Sequence, residues 1–191
     1  TLATQRFLGG LDQFALMALP LFIFAAEVMV VGGLSKRILS WSKSLVGQIP
    51  GGLAMTTQIS SMLFGSLSGS SPATVVAIGR LMYPEMIKDG YHKSFASALI
   101  TSSGSVALII PPSITMIVYA SVAKVSVGLL FMAGIGAGLF YGFIYLFYIY
   151  FYAKKNNIHG VEKAPVSQLW LETKQAFWAL LMPVIIIGGI Y

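Results

Sequence analysis

The sequence has no cysteine and only two histidines. Without thiols it makes no disulfide, holds no iron–sulfur cluster and does no thiol chemistry, and the compartment stays open. His92 and His159 stand in polar loops apart from any acidic cluster, so a metal site of the usual nitrogen, sulfur and carboxylate kind is not expected. Charge is scarce as well: 9% of the 191 residues are charged, against roughly 25% in a soluble domain. That is too little to clothe a solvated surface. With 57% hydrophobic residues and a positive mean hydropathy, the composition is that of an integral membrane protein. The net charge of +6 does not point to nucleic acid, because the basic residues fall between apolar runs, where they act as topology signals. Enzyme motifs are missing too: no G-x-S-x-G, no H-E-x-x-H, no phosphate-binding loop and no carboxylate pair inside an apolar segment. An enzyme is not expected. The chain starts at Thr1 without methionine and stops at Tyr191 inside an apolar run, which reads as an internal fragment of a larger polypeptide.

What is present is a series of apolar segments of unequal length. A bilayer core needs about 20 helical residues. Phe14 to Val31 is the first candidate crossing, interrupted by Pro20 and Glu27 and closed by Gly32-Gly33. LSKRILSWSKSLVGQIP is too polar to span. Leu34, Ile38, Trp41, Leu45 and Ile49 share one helical face and Lys36, Arg37, Ser40 and Lys43 the other, which predicts an amphipathic helix in the interface plane. Gly52 to Leu67 and Pro72 to Met86 are semi-apolar pieces of about 15 residues, roughly 22–24 Å as helices against a core of about 30 Å. They predict a re-entrant hairpin whose tip is SGSS. Irregular backbone at such depth is tolerated only where it is buried in protein or lines a polar cavity. Ser94 to Ala123 is long enough to cross, yet Pro111-Pro112 forbid one continuous helix. Ser126 to Ala153 is an ordinary crossing, a polar loop follows, and a last apolar run starts at Leu169.

Orientation follows from the cations. Lys36, Arg37, Lys43, Lys88, Lys93, Lys154, Lys155, Lys163 and Lys174 collect on one side, leaving Arg6 and Lys124 on the other and Arg80 within the hairpin. Loops 34–50, 87–93 and 154–168 are therefore expected in the cytoplasm.

Two broken elements and one hydroxyl-rich segment are the specific signal. A broken helix exposes unpaired carbonyls at one end and unpaired N–H groups at the other. Carbonyls with serine hydroxyls suit Na⁺, and N–H termini suit a carboxylate. Ser68, Ser70, Ser71 and Thr74 at the tip supply such groups without formal charge, as do Ser102, Ser103, Gly104, Ser105 and Ser113 around the break. The competing reading is that small residues let helices pack closely and serines bond back to carbonyls.

SMLFGSLSGSSPATVVAIGRLMYPEMIKDGY, followed by SSGSVALIIPPSITMIVYASVAKVSVGLLFMAG, resembles the large membrane subunit of tripartite ATP-independent periplasmic (TRAP) transporters, and ALPLFIFAAEVMVVGGLSKRI fits the same family. The resemblance covers almost the whole chain and is weakest after Lys154. It implies an all-α elevator-type secondary transporter with two inverted repeats, of which this chain holds the first. It implies as partners a small four-helix membrane subunit and a periplasmic substrate-binding protein, in a bacterial inner membrane. It also implies a Na⁺ between the hairpin tip and the helix break. Carried onto this sequence, that site is Ser68, Gly69, Ser70 and Ser71 with Gly104, Ser105, Ile109, Ile110, Pro111 and Pro112. An organic-acid substrate would meet Ser70, Ser71, Pro72, Thr74 and Ser113. The hydroxyl-rich Ser-Ser-Pro-Ala-Thr tip looks like that of sialic-acid members, which makes N-acetylneuraminate the leading substrate and a C4-dicarboxylate the alternative. A membrane assembly subunit that transports nothing is the rival from another class.

On this reading residues 1–50 carry a crossing and a bracing helix. Residues 51–125 form the mobile part, with the hairpin at 51–90 and the broken helix at 93–123, and 126–191 carry further crossings. Glu27 is either a functional carboxylate or an interface residue. Arg80 either meets an anion or snorkels toward the hairpin's cytoplasmic end. Trp41, Trp170 and the tyrosines from Tyr141 to Tyr152 are expected to anchor and pack.

Overall fold

A computed structural model of the chain describes residues 14–160 and 166–189. Arg6 and Lys163, counted above for orientation, lie outside the described residues. The described residues form helices joined by short turns and loops, with no strand among them.

Helix α1 runs over Phe14–Val31 and α2 over Leu34–Val46. Gly33, between them, has φ 73°, a left-handed conformation that costs an L side chain about 1–2 kcal/mol, so glycine is what lets one helix end and the next begin within two residues. The face that α2 buries differs from the expected apolar stripe. Ser35, Ile38, Leu39 and Ser42 are buried, whereas Leu45 is 40% exposed. The reason is that α2 is wedged between α3 and α8, and small serines allow two helices to approach where larger side chains would hold them apart.

Helices α3 (Gly52–Ser68) and α4 (Ser71–Lys88) are joined by Gly69 and Ser70 alone and pack on each other. This is the hairpin. Their 17 and 18 residues correspond to roughly 26 Å each at the helical rise. Ser70 starts α4 as its N-cap, its Oγ accepting the Ala73 N–H at 3.5 Å.

Helix α5 (Lys93–Ser105), a 3₁₀ turn (Val106–Leu108) and α6 (Ile114–Ala123) form the broken element. The break opens at Ser105, well before Pro111. Pro111 restricts Ile110 to non-helical backbone, and Pro111-Pro112 is a cis pair. The Ser113 hydroxyl donates to the Leu108 carbonyl at 2.9 Å, which satisfies an acceptor that helix would otherwise have paired. Helix α7 (Val127–Lys155) is the one described helix long and apolar enough by itself to cross a membrane. Helix α8 (Val166–Gly188) packs against α2.

Helix α3 is the centre of the molecule, touching α1, α2, α4, α5, α7 and α8. Its polar residues are buried with it. Thr56 and Thr57 each return their hydroxyl to the carbonyl four residues back, Gly52 and Leu53. Ser103 on α5 donates to Gln58 Oε1 at 2.6 Å with both residues fully buried. Around this spine Ile38, Phe64, Ile78 and Met86 pack with no more than 1% exposure.

Candidate functional site

The hairpin tip and the helix break meet. The backbone N–H of Ile114, first residue of α6, donates to the carbonyl of Gly69 at 3.3 Å. Gly69 has φ 60°, and a Cβ there would come within 2.9 Å of the Pro112 carbonyl oxygen. One turn earlier, a Cβ on Gly65 would fall 2.9 Å from Ala107 Cβ in the 3₁₀ turn. Thus α3 ends, α4 begins and α6 begins at one place. The negative carbonyl end of one helix and the positive N–H ends of two others converge there.

Three oxygens form a tight cluster at the tip. Ser68 Oγ lies 3.0 Å from Thr74 Oγ1 and 3.3 Å from the Ser70 carbonyl oxygen, and Thr74 Oγ1 lies 2.9 Å from that same carbonyl. Ser68 and Thr74 are almost completely buried. Hydroxyl protons rotate, so the two hydroxyls can turn their lone pairs inward beside the carbonyl. Neutral, oxygen-only donors are the set a hard cation takes. As it stands the cluster is hydrogen-bonded to itself, both hydroxyls donating to the Ser70 carbonyl, so Na⁺ is matched by the type of donor and would need the hydroxyls to turn. The Pro112 carbonyl faces the same glycine turn.

The other expected residues are distributed more widely. Ser71 is half-buried at the start of α4, and its carbonyl lies 3.5 Å from where a Gly104 Cβ would stand. Gly104 itself admits the Val75 side chain so closely that no Cβ fits. Pro72 is exposed beside the tip and Pro111 is buried in the break. Four residues turn elsewhere. Ser105 donates to the Ser102 carbonyl at 2.6 Å and meets Tyr141 Oη on α7 at 3.2 Å. The Ile109 carbonyl faces α7, 2.6 Å from where a Cβ on Gly134 would be. The Ile110 side chain fills the place of a Gly138 Cβ. Ser113 Oγ spends its proton on the Leu108 carbonyl and also meets Thr115 Oγ1 at 2.8 Å.

Glu27, Lys36 and Arg80 line one cavity of about 460 Å³ along the outer face of α4. Glu27 and Arg80 lie far apart in the sequence, and no local pattern links them.

Two features escaped the sequence reading. The buried Gln58–Ser103 pair has no local signature, because its partners are 45 residues apart. The stripe Gly134, Gly138 and Gly142 on α7, which receives Ile109, Ile110 and Met62, does have one. Small residues every fourth position in GIGAGLFYG mark a close helix contact in membranes.

The "Tripartite ATP-independent periplasmic transporter, DctM component" family matches residues 1–191. The chain is 43% identical over 187 residues to the ectoine/5-hydroxyectoine TRAP transporter large permease protein UehC of Ruegeria pomeroyi, covering 98% of this chain and 44% of the relative. It is 42% identical over 191 residues to the C4-dicarboxylate TRAP transporter large permease protein DctM of Vibrio cholerae, covering 100% of this chain and 42% of the relative. It is 42% identical over 183 residues to the isethionate TRAP transporter permease protein DctMQ of Oleidesulfovibrio alaskensis, covering 95% and 29% respectively. The chain spans less than half the length of these curated relatives. These relatives are named as permeases, which are transporters rather than enzymes. With a matching family along its whole length and relatives above 40% identity, this chain belongs to the DctM-component family, the large permease subunits of TRAP transporters.

Proposed function

We propose that the chain forms the first-repeat part of a Na⁺-coupled importer of small organic acids in a bacterial inner membrane. It would work by an elevator movement, with a small membrane subunit and a periplasmic binding protein as partners. The observation that carries this reading is the junction of tip and break, with its cluster of Ser68 Oγ, Thr74 Oγ1 and the Ser70 carbonyl beneath two converging helix N-termini. Bound Na⁺ supplies positive charge and the coupling energy of its gradient. The chain's own groups do the rest. Ser68, Ser70, Thr74 and Pro112 offer oxygens, while the starts of α4 and α6 direct their N–H dipoles at an anion. Because the same turn, Gly69–Ser70, carries both kinds of group, ordering it for one ligand orders it for the other. That is the differential affinity coupling requires. The DctMQ name of one relative suits a small subunit that is fused in some members and separate in others.

The relatives are named for ectoine, C4-dicarboxylates and isethionate. Carboxylate or sulfonate is their shared chemistry, so the tip is read as a site for an oxyanion. Within that class N-acetylneuraminate is the acid the hydroxylated Ser-Ser-Pro-Ala-Thr tip favours, and a C4-dicarboxylate is the alternative.

Uptake of labelled N-acetylneuraminate, succinate, isethionate and ectoine by proteoliposomes tests this. They would hold the full-length chain with its small subunit, be supplied with the binding protein, and be run with and without a Na⁺ gradient. Ser68→Ala with Thr74→Val should raise the Na⁺ concentration for half-maximal uptake by about tenfold, the effect of losing about 1.4 kcal/mol of ligation. An unchanged Na⁺ dependence would remove these hydroxyls from the site.

A further inference from the structure

Beyond the tip, one cavity among the described residues gathers three charged side chains. The cavity of about 460 Å³ on the outer face of α4 begins at Ala73, in the first turn after the tip, and runs past Val76 and Ala77 to Arg80. Glu27 of α1 and Lys36 of α2 close it from the other side. The single ion pair among the described residues is Lys43–Glu85, and the side chains of Glu27, Lys36 and Arg80 have no ionic or hydrogen-bonded partner among the described residues. Arg80 sits mid-helix, roughly 12–14 Å from either end of α4 at the helical rise. Arg80 is exposed into the cavity, and an arginine so far from either end of a membrane helix marks a pathway or a ligand more often than a packing contact. Two cations against one carboxylate leave the lining net positive, and the guanidinium offers a planar fork suited to an oxyanion.

We infer that this cavity is an anion-binding vestibule on the cytoplasmic side of the tip. Arg80 and Lys36 would hold the carboxylate or sulfonate of a transported solute as it leaves the hairpin. Glu27 sets an upper limit on the affinity, because a site that must release its ligand cannot present two uncompensated cations. The inference rests on the reading of the chain as an importer of organic acids and extends it to specific residues away from the tip. Its position follows from the helix itself. Ala73, Ala77 and Arg80 are spaced by four and three residues and so lie on one stripe, which joins the tip to the guanidinium along an unbroken face.

The test measures electrostatics rather than uptake. Val76, 59% exposed and in the lining, is replaced as Val76→Cys in the full-length chain, freed of any other cysteine and assembled with its small subunit. The complex is placed in phosphatidylcholine nanodiscs, where both faces are reachable. The thiol is then modified with a sulfonate-bearing and a trimethylammonium-bearing methanethiosulfonate. The ratio of the two rates, referred to that of a free thiol, cancels any change in thiol ionisation. The ratio should favour the sulfonate by about fivefold or more and fall by about tenfold with Arg80→Gln and Lys36→Gln together. It should rise with Glu27→Gln and recover with Arg80→Lys. Succinate or isethionate should slow the sulfonate reagent. A ratio near that of the free thiol, or one indifferent to Arg80→Gln and Lys36→Gln, overturns the proposal. Phosphatidylglycerol that blocks the sulfonate reagent where succinate and isethionate do not would assign the cavity to a lipid headgroup and equally overturn it. The two readings fail separately. Absence of Na⁺-driven uptake with this labelling pattern intact counts against the transport function, and a flat labelling pattern with uptake intact counts against the vestibule.

Discussion

The carbonyl of Gly69 accepts the N–H of Ile114 at 3.3 Å, so the turn of the hairpin is hydrogen-bonded to the first residue after the break in another helix. The two interruptions in the chain are therefore one structural object. Gly69→Ala tests it. A side chain at φ 60° is strained, and its Cβ would stand 2.9 Å from the Pro112 carbonyl, a backbone atom that cannot swing aside. The variant should lose about 1–3 kcal/mol, read as a lower melting temperature of the complex. Na⁺ should also stabilise it less than it does the parent. A variant that melts like the parent would show that tip and break are not tightly joined.

The glycine stripe of α7 holds the other side of the break. The Ile110 side chain occupies the place of a Gly138 Cβ, and overpacking a tight contact costs about 1–3 kcal/mol. Gly138→Val should therefore destabilise the complex by that amount, whereas Gly136→Val, where nothing lies within 4 Å, should do so far less. Chemical denaturation of the two variants side by side decides the matter, and equal losses would contradict the packing.

Ser103 and Gln58 form a fully buried pair between α5 and α3. Ser103→Ala leaves the Gln58 carbonyl oxygen without its donor, a cost of about 1–3 kcal/mol. Gln58→Leu strands the Ser103 hydroxyl in turn. The double variant should be less damaged than the sum of the singles, because it removes both polar groups together. A double-variant cycle with no coupling energy would mean that the pair does not tie the hairpin to α5.

Tyr91, in the turn between α4 and α5, has burial pushing its phenol up from 10.0 to about 12. Its ring stacks on Phe95 at a centroid distance of 5.9 Å, and Phe95 stacks on Tyr152 of α7 at 3.8 Å. The folded protein favours the neutral phenol more than the unfolded chain does. The stability that follows is complete below pH 10 and is lost as pH rises from about 10 to about 12. Tyr91→Phe should flatten the alkaline fall in melting temperature between those limits. An unchanged fall would assign it to other groups.

Much of this was legible in the residues themselves. The end of α1 and the start of α2 follow from Gly32-Gly33 and from the change of apolar pattern after it. The hairpin follows from a glycine and serine tip between two pieces too short to cross. The position of the helix break was less clear. Pro111 and Pro112 announced one, but its start at Ser105 depends on how Ser113 and Leu108 satisfy each other across five residues. The buried face of α2 departs from its apolar stripe because apolarity marks what avoids water, whereas in a helix packed on two others size decides what faces them.

The sequence by itself determined the class of the molecule, the order and approximate ends of its helices, the two interruptions, and the family that its motifs resemble. These depend on local chemistry: charge density, proline and glycine backbone limits, and the number of residues a crossing needs. Only the tertiary structure decided which interrupted ends meet. It placed Ser68, Ser70 and Thr74 in one oxygen cluster, put Pro112 against Gly69, and turned Ser105, Ile109 and Ile110 toward α7. It also gathered Glu27, Lys36 and Arg80 around one cavity. Such choices rest on contacts between residues tens of positions apart, where a missing Cβ or a single carbonyl direction settles the geometry. A local pattern can mark a contact surface, as the glycine stripe of α7 does, but it does not say which residues fill it.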